Sequence, residues 1–446
     1  MQWLLDRFAT IPDRIAFIHE GREVTYRDVV RRVDHFGNRL TEHGVGASQT
    51  VAVLGDYAPE VVCLIFALAR NGNIIIPLSR ESVIEQSTAL DVSGCDWFAQ
   101  FDEAGGNVTI TAKTVPSDNP VLAQFRALGI PGLILFSSGS TGKPKAILHN
   151  FDRVAEKFRK QRGSVIAIPF LMLDHFGGIN TILAITSSLG TVVTVADRSV
   201  AKICQAIAEY QVELLPATPS FLTLLLVSKG YEQYDLASLR RITYGTEVMP
   251  QTTLDRLRTV FPQVELQQTY GLSEVGVLRS QSRGDGSLWV RIGGEGFATK
   301  VVDDILWIKS DYAMVGYLNA PSEFDADGWF NTQDRVEVDG DFFRILGRIT
   351  DVINVGGQKV YPTEIEDVIL ALDNIVDVAV YGEKHPLLGQ IVVAKVILAT
   401  PELLDAVKKR IRAACRVKLS AYKVPSKVVL SDTQLHTVRH KKNRRA

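Results

Sequence analysis

The segment from Ser137 to Lys145 has the residue types of a loop that binds phosphate groups. It directly follows an apolar stretch and consists of hydroxyls, small glycines and cations: Ser137, Ser138, Gly139, Ser140, Thr141, Gly142, Lys143, Pro144 and Lys145. Glycines let backbone N–H groups approach anionic oxygens, hydroxyls donate further hydrogen bonds, and lysine neutralises negative charge. So many specified positions after an apolar strand favour this interpretation over a solvated Ser/Gly turn. The Walker pattern is excluded, because Ser137 and Pro144 stand where it requires Gly and Ser or Thr.

The elements that must position this loop are predicted to be alternating strands and helices. Helical periodicity over 26–42 and 58–69 alternates with β-branched runs over 50–54 and 72–77. The rhythm continues to residue 262, with strands predicted at 133–136, 165–169, 191–195 and 242–244 and a helix after Asn150. This alternation is typical of βαβ units, so we expect a layered α/β fold with mostly parallel sheets.

The sequence pattern changes after about residue 285. Short strands with Gly and Asp turns are predicted at 306–309, 336–338 and 342–346, which indicates a small β-rich region. Further on, strands at 376–380 and 391–398 and a helix over Pro401–Cys415 indicate a compact α+β domain, with a helical apolar face predicted from Leu403, Leu404, Val407, Ile411 and Ala414. Residues 351–446 carry a net charge of +6 and residues 1–350 one of -7, so a small basic domain is expected beside a large acidic one.

Composition excludes several classes of protein. A chain of 446 residues suggests two or three domains, and 46% hydrophobic with 22% charged residues is typical of a globular enzyme. The formal net charge of -1 argues against nucleic acid as the main partner. The four cysteines have neither disulfide nor zinc-site spacing, and the longest apolar run, Val61–Ala69, is too short to span a membrane. Without signal-peptide features at the start, a cytoplasmic location is expected.

The phosphate loop resembles the signature of the adenylate-forming superfamily, which includes acyl- and aryl-CoA synthetases, peptide-synthetase adenylation domains and beetle luciferases. The resemblance recurs in order from Thr25–Asp28 to Tyr422–Pro425, along nearly the whole chain. It is closest to the acyl and aryl acid ligases. It implies an enzyme that uses ATP to form an acyl-AMP from a carboxylic acid, releases pyrophosphate, and then passes the acyl group to a thiol.

The resemblance implies that two further motifs bind the nucleotide. Gln268, Thr269, Tyr270, Gly271, Leu272, Ser273 and Glu274 resemble the family's YGxTE box, which implies that the tyrosine stacks on adenine, the serine contacts phosphate and the glutamate coordinates Mg²⁺. A hard divalent cation prefers carboxylate oxygens and keeps several waters. Phe330–Asp334 resembles the TGD motif, whose aspartate holds the ribose hydroxyls, although Gln333 stands at the usual glycine; Arg348 resembles the arginine that follows.

The acid pocket is implied by two other segments. Thr243–Glu247 resembles the strand end that lines both adenine and the acyl group, so Gly245, Thr246 and Glu247 are candidate nucleotide residues. Leu173–Gly178 resembles the acyl and aryl branch, with His175 at the pocket wall. The candidate acyl pocket therefore comprises His175, Gly245, Thr246 and Gly271. Asp174 alternates with His175 on an extended segment and would point away, which favours an acid without an α-amine.

Catalysis and domain motion are assigned by the same resemblance. Leu435–Arg445 aligns with the family's closing motif and places Lys442 at the catalytic lysine, beside Lys145 of the loop and His175 as further candidates. The family turns its small domain about a residue that corresponds to Thr350, which predicts a large domain at 1–349 and a small mobile lid at 350–446. Gly356 and Gly357 resemble the loop that forms the thiol tunnel.

Three functions remain open at this point. The first is an acyl- or aryl-CoA synthetase, and the second is a ligase that loads the acid onto the phosphopantetheine of an acyl or peptidyl carrier protein. The basic C-terminal domain would suit the phosphates of coenzyme A or the acidic helix of such a carrier. The third is a nucleotide-binding homologue without catalysis, to which the altered positions Gln333, Thr350 and Lys441 point. ATP and Mg²⁺ are the expected cofactors of the two enzymes.

Overall fold

The computed structural model describes residues 1–80, 84–113, 115–137, 144–284, 286–436, 442 and 444. The first 130 residues alternate strands and helices as their periodicity predicts. The longest helix of this part begins at Thr25, whose side chain accepts from the backbone N–H of Asp28 while the Asp28 carboxylate accepts from that of Thr25. The elements are α1 (Gln2–Phe8), β1 (Ile15–His19), β2 (Arg22–Thr25), α2 (Tyr26–Glu42), β3 (Thr50–Leu54), α3 (Pro59–Arg70), β4 (Ile74–Leu78), α4 (Gln86–Ser93), β5 (Trp97–Phe101), β6 (Val108–Ala112) and α5 (Pro120–Arg126).

The next part repeats this alternation and carries most of the candidate site. Asn150 begins the helix predicted after it, since its side chain accepts from the N–H of Arg153. The elements are β7 (Gly132–Ser137), β8 (Lys145–Asn150), α6 (Phe151–Glu156), β9 (Ile166–Ala167), α7 (Phe176–Ser187), β10 (Thr191–Thr194), α8 (Val200–Tyr210), β11 (Leu214–Ala217), α9 (Pro219–Ser228), α10 (Gly230–Gln233), β12 (Arg241–Tyr244), α11 (Gln251–Val260) and β13 (Glu265–Gln268).

A β-rich region follows, as the short strand patterns with Gly and Asp turns predict. Its strands are β14 (Gly271–Leu272), β15 (Gly276–Val277), β16 (Arg279–Ser282), β17 (Trp289–Gly293), β18 (Phe297–Val302), β19 (Ile305–Ser310), β20 (Gly316–Tyr317), β21 (Phe330–Asp339) and β22 (Phe342–Arg348). Six of them form one antiparallel sheet in the order β16-β17-β22-β21-β19-β18. The strand predicted at 336–338 is the C-terminal part of the much longer β21, which starts at Phe330 and so also carries Asp334.

The C-terminal domain is an α+β unit. A short 3-10 helix (Ile349–Asp351) leads into it from β22, and its elements are β23 (Ile353–Val355), β24 (Gln358–Val360), α12 (Pro362–Leu370), β25 (Ile375–His385), β26 (Gly389–Leu398), α13 (Leu404–Lys418), a second 3-10 turn (Ala421–Lys423) and β27 (Lys427–Leu430). β24, β23, β26, β25 and β27 make one sheet, on which the two helices pack.

The predicted helix over Pro401–Cys415 is wrong at both ends. The helix begins at Leu404 and ends at Lys418, because Leu403 is extended and precedes the first turn. Leu403 is 81% exposed and Leu404 42% exposed, so neither belongs to the buried face. That face consists of Val407, Ile411 and Cys415, which recur every fourth residue.

Two seven-stranded sheets organise the large N-terminal part. The first has the order β13-β12-β11-β9-β10-β1-β2 and is parallel except at β1–β2. The second has the order β20-β8-β7-β4-β3-β5-β6 and is parallel only in its centre. The expected mostly parallel, layered α/β fold is confirmed, with an antiparallel β7–β8 pair on either side of the phosphate loop.

One apolar cluster joins the two sheets. It takes side chains from β1 and β10 of the first sheet, from β3, β4 and β7 of the second, and from α2, α3 and α7. The apolar run Val61–Ala69 lies in α3 and is buried on nearly every face, as expected for a helix in the interior of a protein. In the described ranges no helix has the length and apolar character needed to cross a membrane. The four cysteines are buried and free.

Candidate active site

The C-terminal ends of three parallel strands bring the first group of site residues together. Ala217, Tyr244 and Gln268 are register partners at the ends of β11, β12 and β13. In open α/β sheets this edge is where ligands bind. Immediately beyond it, a Cβ at Gly245 would lie 2.4 Å from the Thr269 Oγ1 atom and 2.8 Å from its carbonyl oxygen. The close approach of these two chain segments therefore requires glycine at 245.

A cluster of the buried residues Tyr270 and Asp334 with the exposed Arg348 lies beside this edge. The Tyr270 hydroxyl donates to Asp334 Oδ2 at 2.5 Å, and Arg348 Nε lies 3.3 Å from Asp334 Oδ1. Asp334 and Arg348 are register partners across β21 and β22, so strand pairing fixes their contact. Burial raises the pKa of the Asp334 carboxyl, and the Arg348 guanidinium opposes that rise. Burial beside Asp334 holds the pKa of Tyr270 well above its usual value.

The residue before Asp334 has an unusual backbone conformation. Gln333 has φ of +60°, in the left-handed region, and its N–H donates to Asn331 Oδ1 at 2.9 Å. Glycine adopts this conformation without strain, which gives a physical reason for the glycine in the TGD motif that this segment resembles. The departure at Gln333 leaves Asp334 in contact with both Tyr270 and Arg348.

A second cluster surrounds Glu274. The Tyr317 hydroxyl donates to Glu274 Oε1 at 2.9 Å and lies 3.4 Å from Glu323 Oε2. Lys145 forms an ion pair with Glu323, and its Nζ atom lies 4.8 Å from the centre of the Tyr317 ring. The pairing of β20 with β8 sets this contact, because Tyr317 is opposite Ile147. Burial, with a contribution from the Glu323 charge, raises the pKa of Glu274.

Sequence reasoning did not identify Tyr317 or Glu323 as site residues. Each lies more than 170 residues from Lys145 along the chain, and β20 has only two residues. A strand of two residues is too short to show a periodic pattern in the sequence. The need for charge pairing could have pointed to them. Lys145 and Glu274 are charged side chains in a partly buried site, and such groups need partners.

His175 and Asp174 have different hydrogen-bond partners. His175 begins α7, and its Nδ1 atom accepts from the N–H of Gly177 at 3.0 Å. Asp174 is buried and accepts from the Ser79 hydroxyl at 2.9 Å. Gly271 lies in a small hairpin, opposite Val277. Phe176 of α7 reaches this hairpin, since a Cβ at Gly276 would lie 3.6 Å from its ring. The structure thus brings the start of α7 to the hairpin that carries Gly271.

Lys442 occupies a different ion cluster, in which the chain terminus meets both domains. Its Nζ atom lies 3.3 Å from Asp377 Oδ1, and its backbone N–H donates to Glu247 Oε1 at 2.5 Å. The other Glu247 oxygen accepts from the Ser220 hydroxyl at 2.6 Å. Burial lowers the pKa of Lys442, but the charges of Glu366 and Asp377 outweigh it and hold that pKa above its usual value. This structure therefore pairs Lys442 with Asp377 rather than with the Asp334 cluster.

The remaining candidates are spread over two regions. Thr350 is exposed in the 3-10 helix that links β22 to the C-terminal domain. Gly356 and Gly357 turn the β23–β24 hairpin with φ of +57° and +87°. They line a cleft of about 890 Å³ together with Asn354, Lys384, His385, Pro386, Leu388, Gly389 and Gln390.

The phosphate loop is only partly within the described structure. Ser137 ends β7, opposite Lys145 at the start of β8. Ser138, Gly139, Ser140, Thr141 and Gly142 lie outside the described residues. Ser273 is half-buried between β14 and β15, whereas Thr246 is exposed just beyond β12, where its φ is +70°.

Comparison with known proteins identifies the family. The AMP-binding enzyme model matches residues 5–305, and the AMP-binding enzyme C-terminal domain model matches 364–442. Among curated relatives, the feruloyl-CoA synthase of an Amycolatopsis species is 26% identical, with 96% of this chain and 94% of the relative covered. The indoleacetate–CoA ligase of Aromatoleum aromaticum is 27% identical, with 97% and 94% covered.

Solved structures show the same fold. The o-succinylbenzoate CoA synthetase of Bacillus subtilis, in complex with its acyl-adenylate, superposes with a TM-score of 0.79 at 21% identity and covers 99% of this chain and 96% of that one. The anthranilate CoA ligase AuaEII, in complex with anthranoyl-AMP, gives a TM-score of 0.84 at 20% identity, with 99% and 95% covered. The family inferred from the sequence motifs is thereby confirmed: this chain belongs to the AMP-binding enzymes and is a ligase of the adenylate-forming superfamily.

Proposed function

We propose that this chain is an acyl- or aryl-CoA synthetase. It uses ATP to convert a carboxylic acid to an acyl-AMP with release of pyrophosphate, and then transfers the acyl group to the thiol of coenzyme A. The observation that carries the proposal is the contact of the buried Asp334 carboxylate with the Tyr270 hydroxyl and the Arg348 guanidinium, at the edge where three parallel strands end. A fixed acceptor beside an aromatic ring and a cation suits the ribose, base and phosphate of a nucleotide.

The other candidate residues extend this nucleotide site. The Tyr270 ring stacks on adenine, with Gly245 and Thr246 at the same edge, and Gln268, Thr269 and Glu247 flank them. Asp334 accepts the ribose hydroxyls, and Ser273 with the loop 137–142 holds the phosphates. Attack of a carboxylate on the α-phosphate adds negative charge, which cations at fixed positions stabilise in the transition state. Lys145 is fixed in this way by Glu323 and the Tyr317 ring.

The residues around Glu274 fit a magnesium ion. Mg²⁺ takes carboxylate oxygens together with waters and substrate phosphates, and the carboxylates of Glu274 and Glu323 both face the Tyr317 hydroxyl. Burial, and to a smaller extent the Glu323 charge, raises the pKa of Glu274, and a cation beside the two carboxylates would favour their charged forms. When bound, the ion neutralises charge on the phosphates. Glu274 and Glu323 would hold it.

Lys442 acts in the first step only after the C-terminal domain moves. In this structure its ammonium is paired with Asp377, so the ion pair must open before the lysine reaches the α-phosphate. We assign the boundary to Thr350, with domains at 1–349 and 350–446, because this exposed residue lies in the single-turn link between β22 and β23. In the second step the Gly356–Gly357 turn and its cleft admit the thiol arm close to the backbone.

Coenzyme A is preferred to a carrier protein as the acceptor. Three curated relatives that match this chain over more than nine-tenths of its length are named as a CoA synthase or a CoA ligase. Their named acids include aromatic and long-chain ones, so the acid is assigned here only as an acyl or aryl carboxylic acid, with His175 and Gly271 at its pocket. Asp174 accepts a hydrogen bond from Ser79, and His175 is the residue of this pair that we assign to the pocket.

ATP–pyrophosphate exchange over a panel of aliphatic, aryl and amino acids tests the first step. We expect exchange with aliphatic or aryl acids, loss of more than about 100-fold with Lys442→Ala, and no loss with the control Lys409→Ala on the exposed side of α13. Formation of acyl-CoA from the same acid tests the second step. Full exchange in Lys442→Ala would contradict the role of that lysine, and no exchange with any acid would contradict the enzyme.

A further inference from the structure

Lys157 is a partly buried lysine whose ammonium contacts two neutral acceptors. It follows α6, and its ammonium donates to Asn180 Oδ1 of α7 and, at 3.2 Å, to the carbonyl oxygen of Val277 in β15. Both acceptors are neutral. Over the part of the chain that the structure describes, Lys157 forms no ion pair. A lysine ammonium has three donors, so one N–H remains for a further acceptor.

The charges around Lys157 make this cation costly to keep. Its charged neighbours are Arg162 and Arg279, both cations, and burial together with their repulsion lowers the pKa of Lys157 to about 7. The rings of Phe158 and Phe176, with centres 4.9 and 6.0 Å from Nζ, compensate in part. The nearby Glu156 is exposed and pairs with Arg159 instead. A buried charge of this kind is stabilised when an anion pairs with it.

The position of Lys157 connects it to the candidate acid pocket. Phe176 directly follows His175, and Asn180 lies one turn further on the same face of α7. Val277 is the register partner of Gly271 in the β14–β15 hairpin. Asn180 and Thr181 are the half-buried positions of this part of α7, whose neighbours are fully buried. The ammonium therefore lies against the two elements that carry His175 and Gly271.

We propose that Lys157 is a specificity-determining residue that binds a second anionic group of the acid substrate, at the end opposite the carboxylate that is activated. This inference rests on the proposed function. The acid is then a dicarboxylic acid, or an aryl acid with an anionic substituent, whose distal oxygens take the free N–H of Lys157 and supply the missing negative charge. Arg162 and Arg279 add to the attraction by their charge.

Matched acids with and without a second carboxylate test this assignment. Exchange is measured with adipate against hexanoate and with 4-carboxycinnamate against cinnamate, for the wild type, Lys157→Met, Lys157→Arg and the control Lys160→Met, an exposed lysine nearby. In Lys157→Met we expect the ratio of kcat/KM for the diacid to that for its monoacid to fall about 30-fold, because a hydrogen bond to a charged group is lost. Lys157→Arg should keep most of the ratio, and Lys160→Met all of it.

Two results separate the ways in which this proposal can fail. If the wild type and Lys157→Met show the same ratio, while exchange with the monoacids proves that both are folded and active, Lys157 does not bind the acid and the proposed function stands. If no acid supports exchange, the proposed function is contradicted. Calorimetric binding of adipate and hexanoate to the wild type and Lys157→Met then decides the inference by itself: a preference for adipate that only the wild type shows supports it, and its absence overturns it.

Discussion

Two ion clusters in this protein each contain a buried carboxylate but are built in opposite ways. In the first, Asp334 and Arg348 are register partners on paired strands, and the Arg348 side chain remains 48% exposed. In the second, Arg444 forms two hydrogen bonds to Glu366, whose side chain is 1% exposed, and the contact joins the chain terminus to α12. The first cluster is fixed by the sheet and open to a ligand, whereas the second is closed and holds the terminus in place.

The comparison leads to different expectations when each carboxylate is neutralised. Neutralising a buried carboxylate costs several kcal/mol of stability when its cation is left buried and unpaired. Neutralising a carboxylate whose cation can be hydrated costs little stability and instead weakens ligand binding. The clusters should thus separate activity from stability.

The largest effect is expected for Asp334→Asn. The amide keeps the shape but loses the charge that orients Arg348 and one acceptor for the ribose, so kcat/KM for ATP in the exchange assay should fall about 1000-fold. The melting temperature should change by less than about 3 °C, because Arg348 is hydrated and burial already disfavours the charged form of Asp334. Asp339→Asn, at the exposed end of β21, is the matched control. A large fall in melting temperature with normal exchange would reverse the two roles.

Glu274→Gln should lower activity and raise stability together. Burial raises the pKa of Glu274 above its unfolded value, so folding favours the protonated form. The wild type therefore loses stability as the pH rises and this carboxyl ionises, whereas the neutral amide of the variant avoids that loss. We expect exchange to fall about 100-fold at a fixed Mg²⁺ concentration and the melting temperature at pH 7 to rise. The rise should vanish at pH below 4, where both proteins are neutral at this position. A lower melting temperature at pH 7 would show that the charge of Glu274 is stabilising.

Glu366→Gln should act mainly on stability. Glu366 accepts from the N–H of Val380 as well as from Arg444, and the Arg444 charge lowers the pKa of Glu366 despite its burial. Its stabilising contribution is therefore present above the unfolded pKa and is lost as pH falls through the lower, folded one. We expect a loss of about 3 kcal/mol in the free energy of unfolding, measured by urea denaturation. Glu402→Gln, whose partner Arg410 is more exposed, is the control. Equal losses in the two variants would remove the distinction between closed and open clusters.

The two clusters also show what the sequence could predict. Tyr270, Asp334 and Arg348 were recognised because each lies in a motif with a fixed position along the chain, and strands with clear periodicity bring those motifs together. Glu323 and Tyr317 were missed because their contact with Lys145 depends on a two-residue strand and a loop. The partners of Lys442 could not be predicted either, since the cluster forms only when the terminus packs onto Asp377 and Glu247.

The fold was predictable to the same extent and for the same reason. The bounds of α2 and β3 agree with the sequence pattern to the residue, because each has a regular apolar period and α2 has a capping box. The start of α13 was misplaced because Leu403 and Leu404 extend the apolar period into residues that the helix leaves exposed. Periodicity alone does not show which end of an apolar row is covered by another element.

The smallest effect is expected for Gln333→Gly, beside Asp334. Gln333 has φ of +60°, and a side chain in the left-handed region costs about 1 kcal/mol relative to glycine. Glycine loses part of that gain because it is more flexible in the unfolded chain, so we expect the free energy of unfolding to rise by about 0.5 kcal/mol in urea denaturation. Exchange activity should stay within about twofold, since the backbone already has the conformation that holds Asp334. A loss of stability would mean that the Gln333 side chain makes a contribution larger than the strain of its backbone.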